Sequence, residues 1–321
     1  MSNTLEYVKK NLPSKIQKLG IGLLIFGIAL GIISYFVDIE RAMYNYLLAF
    51  SFFTSITVGA LFLFALEYLV GAIWSVPIRR VVEFIASGVV LLIILAIPLA
   101  LNMNNIFEWT HTEFVKSDKI LTGKSPYLNQ TFFMIRIVIY CALWTLFYFI
   151  LSRNSKKQDF NKDPKLTKRN VITSAIFMPV FAFTTSVFAI DWIMSIVPHW
   201  YSTIFGVYFF AGSVVGSLAA VTLATVLLKE NGYLHPAMIE DHYYSLGALL
   251  FAFINFWAYI AFAQFLLIWY GNLPEETFWF MARWEGGWKF VSLGLIVIHF
   301  IVPYSLLLSQ PAKMDPKRLK I

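Results

Sequence analysis

Five ionisable side chains lie within long apolar runs of the sequence or at their ends, where burying a charge is costly: Glu67, Glu83, Arg136, Asp191 and His299. Carboxylates and imidazoles in such places can carry protons across a membrane. The sequence therefore offers a set of proton-path candidates: Glu67, Asp191, His299, Asn255, Tyr259 and Gln264. The last three could equally hydrogen-bond between helices, as could His299, and Asn255 shares a helix face with Tyr259 because they are four residues apart.

The stretch DWIMSIVPHWYSTIFGVYFFAG, residues 191–212, joins two apolar runs. An acid or imidazole near the membrane surface can take up or release protons there. Arg136, Asp191 and His199 could form a ligand site of this kind. Alternatively, Arg136 pairs with Asp191 or reaches outward, Asp191 caps the next turn, and His199 is a surface residue. The aromatic residues of the stretch predict an interfacial belt: Trp192, Trp200 and Tyr201.

Several cofactor classes lack their ligands in this sequence. The one cysteine, Cys141, cannot hold an iron–sulfur cluster, and a bis-histidine haem needs two buried histidines where only His299 is in mid-run. No phosphate-binding GxxxxGK[ST] loop and no zinc-protease motif is present. We therefore predict no metal site and no catalytic residue, and any redox centres would belong to partner proteins.

Composition indicates the elements that position these residues. The chain has 321 residues, 59% apolar and 13% charged, with a mean hydropathy of +0.70. Soluble domains are about 45–50% apolar and about 25% charged. Apolar runs of roughly 20 residues predict membrane-spanning helices. There are eight such runs: 19–37, 44–70, 81–101, 131–151, 171–190, 204–228, 246–270 and 288–308. The sequence predicts an all-α, multi-pass membrane protein.

Loop charges orient these spans. Cations favour the cytoplasmic side, and the segments on the side of the termini hold 18 Lys and Arg against 6 on the other side. Both termini are predicted to be cytoplasmic, and residues 191–204 to be on the outer side. The net charge of +7 thus reflects orientation and not nucleic-acid binding. No cleavable signal peptide is predicted, because the first apolar run is long enough to span and no cleavage pattern follows it.

The basic segment SRNSKKQDFNKDPKLTKRN, residues 152–170, predicts a solvated cytoplasmic loop between two helical halves, 1–151 and 171–321. Glu83 is expected to pair at the interface with Arg79 or Arg80. In the sixth run, Gly212 and Gly216 form a small-residue pair that, with Gly206, permits close helix approach. In an outer loop, three charged residues could contact a partner subunit or simply face solvent: Glu275, Glu276 and Arg283.

Three stretches carry a family resemblance: DWIMSIVPHWYSTIFGVYFFAGS, FINFWAYIAFAQFLLIWYGNLPEETFWFMARW and HFIVPYSLLLSQPAKMDPKRL. They resemble the membrane subunits of bacterial alternative complex III, a quinol:electron-acceptor oxidoreductase, within the polysulfide-reductase-like (NrfD-type) family. The wording PHWYSTIFGVYFFAG is most similar to the F-type (ActF) subunits. The resemblance covers about residues 190–320; the first half is similar mainly in hydropathy and span number.

The resemblance implies two adjacent four-helix bundles in a bacterial inner membrane, and no cofactor held by this chain. It also implies a paralogous quinol-binding membrane subunit, an extracytoplasmic iron–sulfur protein, cytochrome c subunits carrying haem c, and a terminal oxidase as partners, with lipids around them. The chain would be a scaffold and a proton-conducting subunit. The family often has two further spans after the eighth, so more helices could follow Ile321.

Two alternatives stay open at this point. The chain could itself bind menaquinol or another quinol near the outer face, through Arg136, Asp191 and His199, because quinol oxidation releases protons with electrons and needs an acid or imidazole near the surface. It could instead be an unrelated secondary transporter, for which Pro98 and Pro179 are weak indications of interrupted helices.

Overall fold

The computed structural model describes residues 13–235 and 238–320, and its described part contains helices and no strand. Eight helices are long and apolar enough to cross a membrane, which confirms the all-α polytopic prediction. They are α1 (Ser14–Val37), α2 (Ile39–Leu69), α3 (Val76–Leu101), α4 (Gln130–Asn161), α5 (Pro164–Trp192), α6 (Phe205–Glu230), α7 (Glu240–Gly271) and α8 (Trp288–Leu306). The orientation stays a prediction, and Lys9 and Lys10, which contribute to it, lie outside the described residues.

The short helices lie in the loops and at the C-terminal end. Thr112–Ser117 and Lys119–Lys124 lie between α3 and α4, and Pro274–Ala282 lies between α7 and α8. Gln310–Met314 follows α8 and packs against α7. All three loop helices lie at the end of the molecule that the charge pattern predicts to face outward.

The core is formed where α2 meets its neighbours. Helix α2 packs against α3, α5 and α6, while α4 packs against α3 and α5. Large aromatic side chains fill this region and are almost fully buried: Phe133, Tyr140, Trp144, Phe188 and Trp192. Helix α5 thus belongs to the same packed group as α2, α3 and α4. The division into two helical halves on either side of residues 152–170 stays a prediction.

Two spanning helices lie at the periphery. No residue of α1 is buried, and none of α8. Helix α1 packs along α2, and α8 packs along α7. Their apolar side chains are therefore free to contact lipid or other membrane proteins, as expected where lipid tails are as apolar as leucine.

The segment expected to be a loop at 152–170 is mostly helical. Helix α4 continues to Asn161 and α5 begins at Pro164. Between them, Lys162 adopts the left-handed conformation at φ 48°, and the carboxylate of Asp163 accepts the N–H of Lys165 at 2.9 Å. A left-handed residue ends a helix, and an N-cap aspartate followed by proline begins one. The loop prediction was wrong because it followed the high polarity of the segment. It overlooked Lys162, Asp163 and Pro164, which end one helix and begin the next.

Helix α3 is interrupted rather than continuous. It begins as a 3₁₀ turn at Val76–Ile78, and a second 3₁₀ segment, Ser87–Leu91, divides its α-helical parts. Gly88 lies so close to α2 that a Cβ atom there would be 2.3 Å from the Thr57 methyl group. Helix α8 is interrupted by a π-helical segment, Val297–Ile301, which contains His299.

Close helix approach does occur in α6, although not at the predicted pair. A Cβ atom on Gly206 would lie 2.6 Å from the Ser186 hydroxyl, whereas Gly212 and Gly216 have only ordinary contacts at 3.7 and 3.8 Å. The tightest contact involves Gly59 of α2, whose Cβ would overlap both the Ser217 hydroxyl and the backbone oxygen of Ser213. Helices α2 and α6 therefore cross at Gly59, which lies outside the predicted small-residue pair.

Candidate functional sites

A buried ion pair joins α4 to α5 near their predicted outer ends. Arg136 donates from Nε to Oδ2 of Asp191 and from Nη2 to Oδ1, both at 2.9 Å. Its third nitrogen, Nη1, donates to the backbone oxygen of Tyr127 at 2.9 Å, and the Tyr127 hydroxyl donates to Oδ1 of Asp191 at 3.0 Å. The planar guanidinium and the carboxylate thus meet in two parallel hydrogen bonds, the strongest arrangement for such a pair.

Aromatic rings enclose this pair. The Arg136 guanidinium carbon lies 3.9 Å from the centre of the Tyr127 ring and 4.4 Å from that of Phe132, so cation–π attraction adds to the hydrogen bonds. Asp191 has no solvent exposure. Burial, followed by the Asp191 carboxylate, raises the pKa of Tyr127 well above its ordinary value, so its hydroxyl keeps its proton and stays a donor. Of the alternatives for Arg136, pairing with Asp191 is confirmed.

Asp191 does not cap the following turn. Its side chain points to Arg136, and it is its backbone oxygen that accepts the hydroxyl of Ser195. Helix α4 begins at the N-cap Asn129, which accepts the N–H of Phe132 at 2.9 Å. That start places Arg136 about two turns into α4, beside the last turn of α5.

His199 belongs to a separate contact. Its Nε2 lies 2.5 Å from Oδ2 of Asp118 in the loop between α3 and α4, and neighbouring Pro198 accepts the ammonium of Lys124 at 2.6 Å. The hydrogen bond from His199 lowers the pKa of Asp118 from its ordinary value. His199 is half-buried and ties two outer loops together, so the structure does not bring it to Arg136 and Asp191.

A second ionic cluster lies at the opposite, predicted cytoplasmic end. Glu67 of α2 is buried and accepts Nε of Arg79 at 2.5 Å. Glu83 of α3 is buried as well; it accepts Arg80 and the hydroxyl of Ser152, which confirms the expected pairing. Arg80 also binds Asp159 near the end of α4. This inner cluster therefore fastens α2, α3 and α4 together.

Buried hydroxyl groups lie between the two ionic clusters, on the facing sides of α2, α5 and α6. Those on α2 are Ser51, Thr54 and Thr57; those on α5 are Ser174, Thr184 and Thr185; those on α6 are Ser213, Ser217, Thr222 and Thr225. Six of them have no hydrogen-bond partner in the described chain: Ser51, Thr54, Ser174, Thr185, Thr222 and Thr225. Buried polar groups are rarely left unpaired, so this concentration is unusual.

Aromatic contacts show which residues of neighbouring helices lie at the same depth along the helix axes. The Phe62 ring stacks on Phe181 at 5.1 Å, and the Phe50 ring lies 5.2 Å from that of Trp192. Phe50 is therefore level with the turn that holds Asp191. Seventeen residues separate Phe50 from Glu67 along α2, which corresponds to about 25 Å of helix. Ser51, Thr54 and Thr57 of α2 lie in that interval, at levels between Glu67 and Asp191. The buried hydroxyls of α2, α5 and α6, with Glu67 and Asp191 at either end, are called the polar line.

The other proton-path candidates are not on this line. Asn255 donates to the Phe251 oxygen of its own helix at 2.7 Å, and Tyr259 is 65% exposed. Neither residue therefore forms the hydrogen bond between helices that the sequence offered as a possibility. Gln264 is buried, with Nε2 unpartnered among the described residues. His299 packs edge-on against Trp257, with ring centres 4.3 Å apart. No hydrogen bond from His299 is present in the described chain, so the expected bond across helices was wrong.

The predicted aromatic belt is mostly core. Trp192 and Trp200 are buried, and only Tyr201 is exposed. Trp192 donates to the Tyr140 hydroxyl, and Trp200 donates to the backbone oxygen of Glu276 at 3.2 Å. Their indole N–H groups have partners inside the protein, which is what allows tryptophan to be buried.

The outer loop residues have different environments. The Trp200 ring stacks on Trp279 at 4.5 Å, and the Arg283 guanidinium lies 3.2 Å from the centre of the Trp279 ring. Burial lowers the pKa of Arg283 to about 10. Glu275 is exposed and Glu276 is half-buried. Of the three partner-contact candidates, Glu275 is therefore the one that solvent reaches most freely.

Sequence reasoning missed Tyr127, Asp118 and the hydroxyl line. Tyr127 and Asp118 lie in a loop, and nothing in their spacing indicated a partner 64 or 81 residues away. The hydroxyls did leave a signal, since Ser and Thr recur within the runs of α2, α5 and α6. Such residues also bond to their own helix, as Ser213 does to Phe209, so their presence alone does not indicate a path.

Comparison with known proteins found no family model that matches the chain and no curated protein that matches it. Within the described residues, no three His, Cys, Asp or Glu side chains are grouped as metal ligands would be. The two ionic clusters and the hydroxyls between them are thus the features on which a function must be argued.

Proposed function

We propose that this chain is a membrane subunit of a quinol:electron-acceptor oxidoreductase of the alternative complex III type, in a bacterial inner membrane. It would act as a scaffold that holds no redox cofactor and as a proton-conducting subunit. The three stretches within residues 190–320 support the family, and the eight spanning helices are compatible with it. Its partners would be a paralogous quinol-binding subunit, an iron–sulfur protein and cytochrome c subunits, with a terminal oxidase as acceptor.

The polar line between Glu67 and Asp191 carries the proton-conducting role. Hydroxyl groups both donate and accept hydrogen bonds, so a row of them can pass a proton by exchanging bonds. Glu67 is placed to receive protons at the inner end, because Arg79 beside it is partly exposed, with a fifth of its side chain accessible. Carboxylates and polar side chains inside membrane helices are costly and typically belong to ion or proton routes.

The same geometry argues against quinol binding at Asp191. Both carboxylate oxygens are occupied by Arg136 and Tyr127, and the side chain has no exposure. A quinol hydroxyl would have to displace one of these bonds and open a packed aromatic shell. This observation favours a cofactor-free role, with the quinol site in the paralogous subunit.

One feature favours the transporter alternative. Helix α3 is interrupted by the 3₁₀ segment Ser87–Leu91, and interrupted helices form the substrate sites of many transporters. Affinity purification of the tagged chain from mild detergent separates the two functions. Cytochrome c and iron–sulfur proteins in fixed ratio with the chain support the respiratory complex; purification of the chain without them contradicts it.

Proton conduction is tested in the intact complex reconstituted into vesicles. We expect Glu67→Gln to reduce quinol-driven proton movement at least about tenfold while uncoupled quinol oxidation stays near that of the unchanged complex. Glu113→Gln is the matched control, because this carboxylate is 90% exposed on an outer helix. Equal proton movement in the Glu67→Gln and Glu113→Gln complexes would exclude Glu67 from the path.

Two further variants separate the sites. His299→Phe should leave proton movement unchanged, because His299 packs against Trp257 in α7 and lies off the polar line. Asp191→Asn distinguishes the quinol alternative: loss of quinol-analogue binding in an assembled complex would move the quinol site to this chain. Retained analogue binding agrees with the scaffold role.

A further inference from the structure

A cleft of about 600 Å³ lies on the predicted cytoplasmic part of α4. It is lined by Phe149, Ser152, Arg153, Lys156, Lys157 and Phe160. Because α4 continues as a helix to Asn161, residues spaced three and four apart fall on one face. A loop would have dispersed the same cations, so the cleft exists only because this segment is helical.

The cations of the cleft are largely uncompensated. Arg153 and Lys157 are exposed and form no ion pair or hydrogen bond within the described chain. Lys156 is the exception, with Nζ 3.6 Å from the buried Glu83 carboxylate. By contrast, Arg79 and Arg80 on the neighbouring helix are both bound to acids. The cleft is therefore a local concentration of positive charge beside an otherwise neutralised cluster.

Its depth matches the headgroup region of a bilayer. The apolar run within α4 ends at Leu151, and the cations begin two residues later. Phe149 projects on the membrane side of them and is 54% exposed; Phe160 lies beyond them and is 87% exposed. An amphipathic ligand would place its acyl chains against Phe149 and its phosphate against Arg153 and Lys157.

We propose that this cleft binds the phosphate of an anionic phospholipid in the adjoining leaflet. Arginine offers a planar fork to phosphate oxygens, and lysine adds a point charge. Basic pockets at the cytoplasmic ends of spanning helices commonly receive anionic headgroups. The lipid, rather than free phosphate, is favoured because the cations adjoin an exposed aromatic ring at membrane depth. This site does not depend on the proposed respiratory function.

The test uses the full chain in detergent and native mass spectrometry with lipids added at equal concentration. Phosphatidylglycerol is expected to bind more tightly than phosphatidylcholine of the same acyl length. The Arg153→Gln/Lys157→Gln variant should bind phosphatidylglycerol about 10- to 30-fold more weakly, as expected for two lost surface cations. The matched control is Lys165→Gln/Lys168→Gln, which removes two exposed cations from the start of α5.

Phe149→Ala separates a lipid from free phosphate. It should weaken phosphatidylglycerol binding severalfold while leaving binding of inorganic phosphate, measured by ³¹P NMR, unchanged. Equal losses in the two double variants would show general attraction to a basic surface, and would overturn the proposal. Equal binding of both lipids by the unchanged chain would overturn it as well, as would tight binding of inorganic phosphate that prevents lipid binding regardless of Phe149.

Discussion

The buried pair of Arg136 and Asp191 makes a sharp prediction about stability. Asp191→Asn retains the shape of the side chain and removes its charge. Arg136 then keeps a full charge among three aromatic rings, with 8% of its side chain exposed and only a neutral amide opposite it. The variant therefore tests whether this guanidinium needs its carboxylate.

The magnitude follows from the contacts. Removing one partner of a buried ion pair costs about 3–5 kcal/mol, because the other charge stays buried without compensation. The asparagine oxygen can still accept one of the two Arg136 hydrogen bonds, so about 3 kcal/mol is expected. The double variant Arg136→Met/Asp191→Leu removes both charges. Its free energy of unfolding should be much closer to that of the unchanged protein, because apolar replacements of buried pairs are often nearly neutral in stability. The coupling between the two positions should then be of order 3 kcal/mol.

The single cysteine supplies the assay. Cys141 lies on α4, is 2% exposed and is free, so maleimide labels it only when the helices separate. A loss of 3 kcal/mol corresponds to labelling about 100-fold faster under conditions where opening is at equilibrium. Glu113→Gln serves as the control for loss of a carboxylate at an exposed position. Labelling of Asp191→Asn within about threefold of the unchanged protein would refute the role assigned to this pair.

Three further predictions concern packing, pH and orientation. Gly59→Ala should lower the free energy of unfolding by about 1–3 kcal/mol, because its Cβ would lie 2.4 Å from the Ser213 backbone oxygen. The control Gly216→Ala, whose Cβ has its nearest contact at 3.8 Å, should leave Cys141 labelling nearly unchanged in the same assay. The pKa of Asp118 is lowered first by its bond to His199 and also by the N–H groups of Leu121 and Ile120. These bonds stabilise the outer loops above the ordinary aspartate pKa of about 3.9, and their contribution is lost as pH falls through the lower folded value. Protection of the amides of residues 112–128 against hydrogen exchange, relative to their intrinsic exchange rates, should then fall at low pH, and His199→Phe should make that fall smaller. In a Cys141→Ser background, Lys162→Cys should be labelled only from the cytoplasm and Lys119→Cys only from outside; the reverse pattern would overturn the orientation.

The number and position of the spans follow directly from the sequence. An apolar run of roughly 20 residues has few alternatives in a bilayer, because a helix satisfies all its backbone hydrogen bonds internally. The ionisable residues worth examining could be selected for the same reason, since Glu67, Arg136 and Asp191 stand out against an apolar background. Helix ends were less well predicted, and the extension of α4 to Asn161 was missed altogether.

Partners and surfaces were decided by the tertiary structure. Arg136 lies 55 residues from Asp191 in sequence, and only the packing of α4 on α5 brings their charges together. Tryptophan is typical of the membrane–water interface, yet Trp192 and Trp200 are both buried. Their burial is possible because the Tyr140 hydroxyl and the Glu276 backbone oxygen accept their indole N–H groups. Residue type sets what a side chain can bond to and what its burial costs; which helices meet, and at what level, determines which of those bonds are formed.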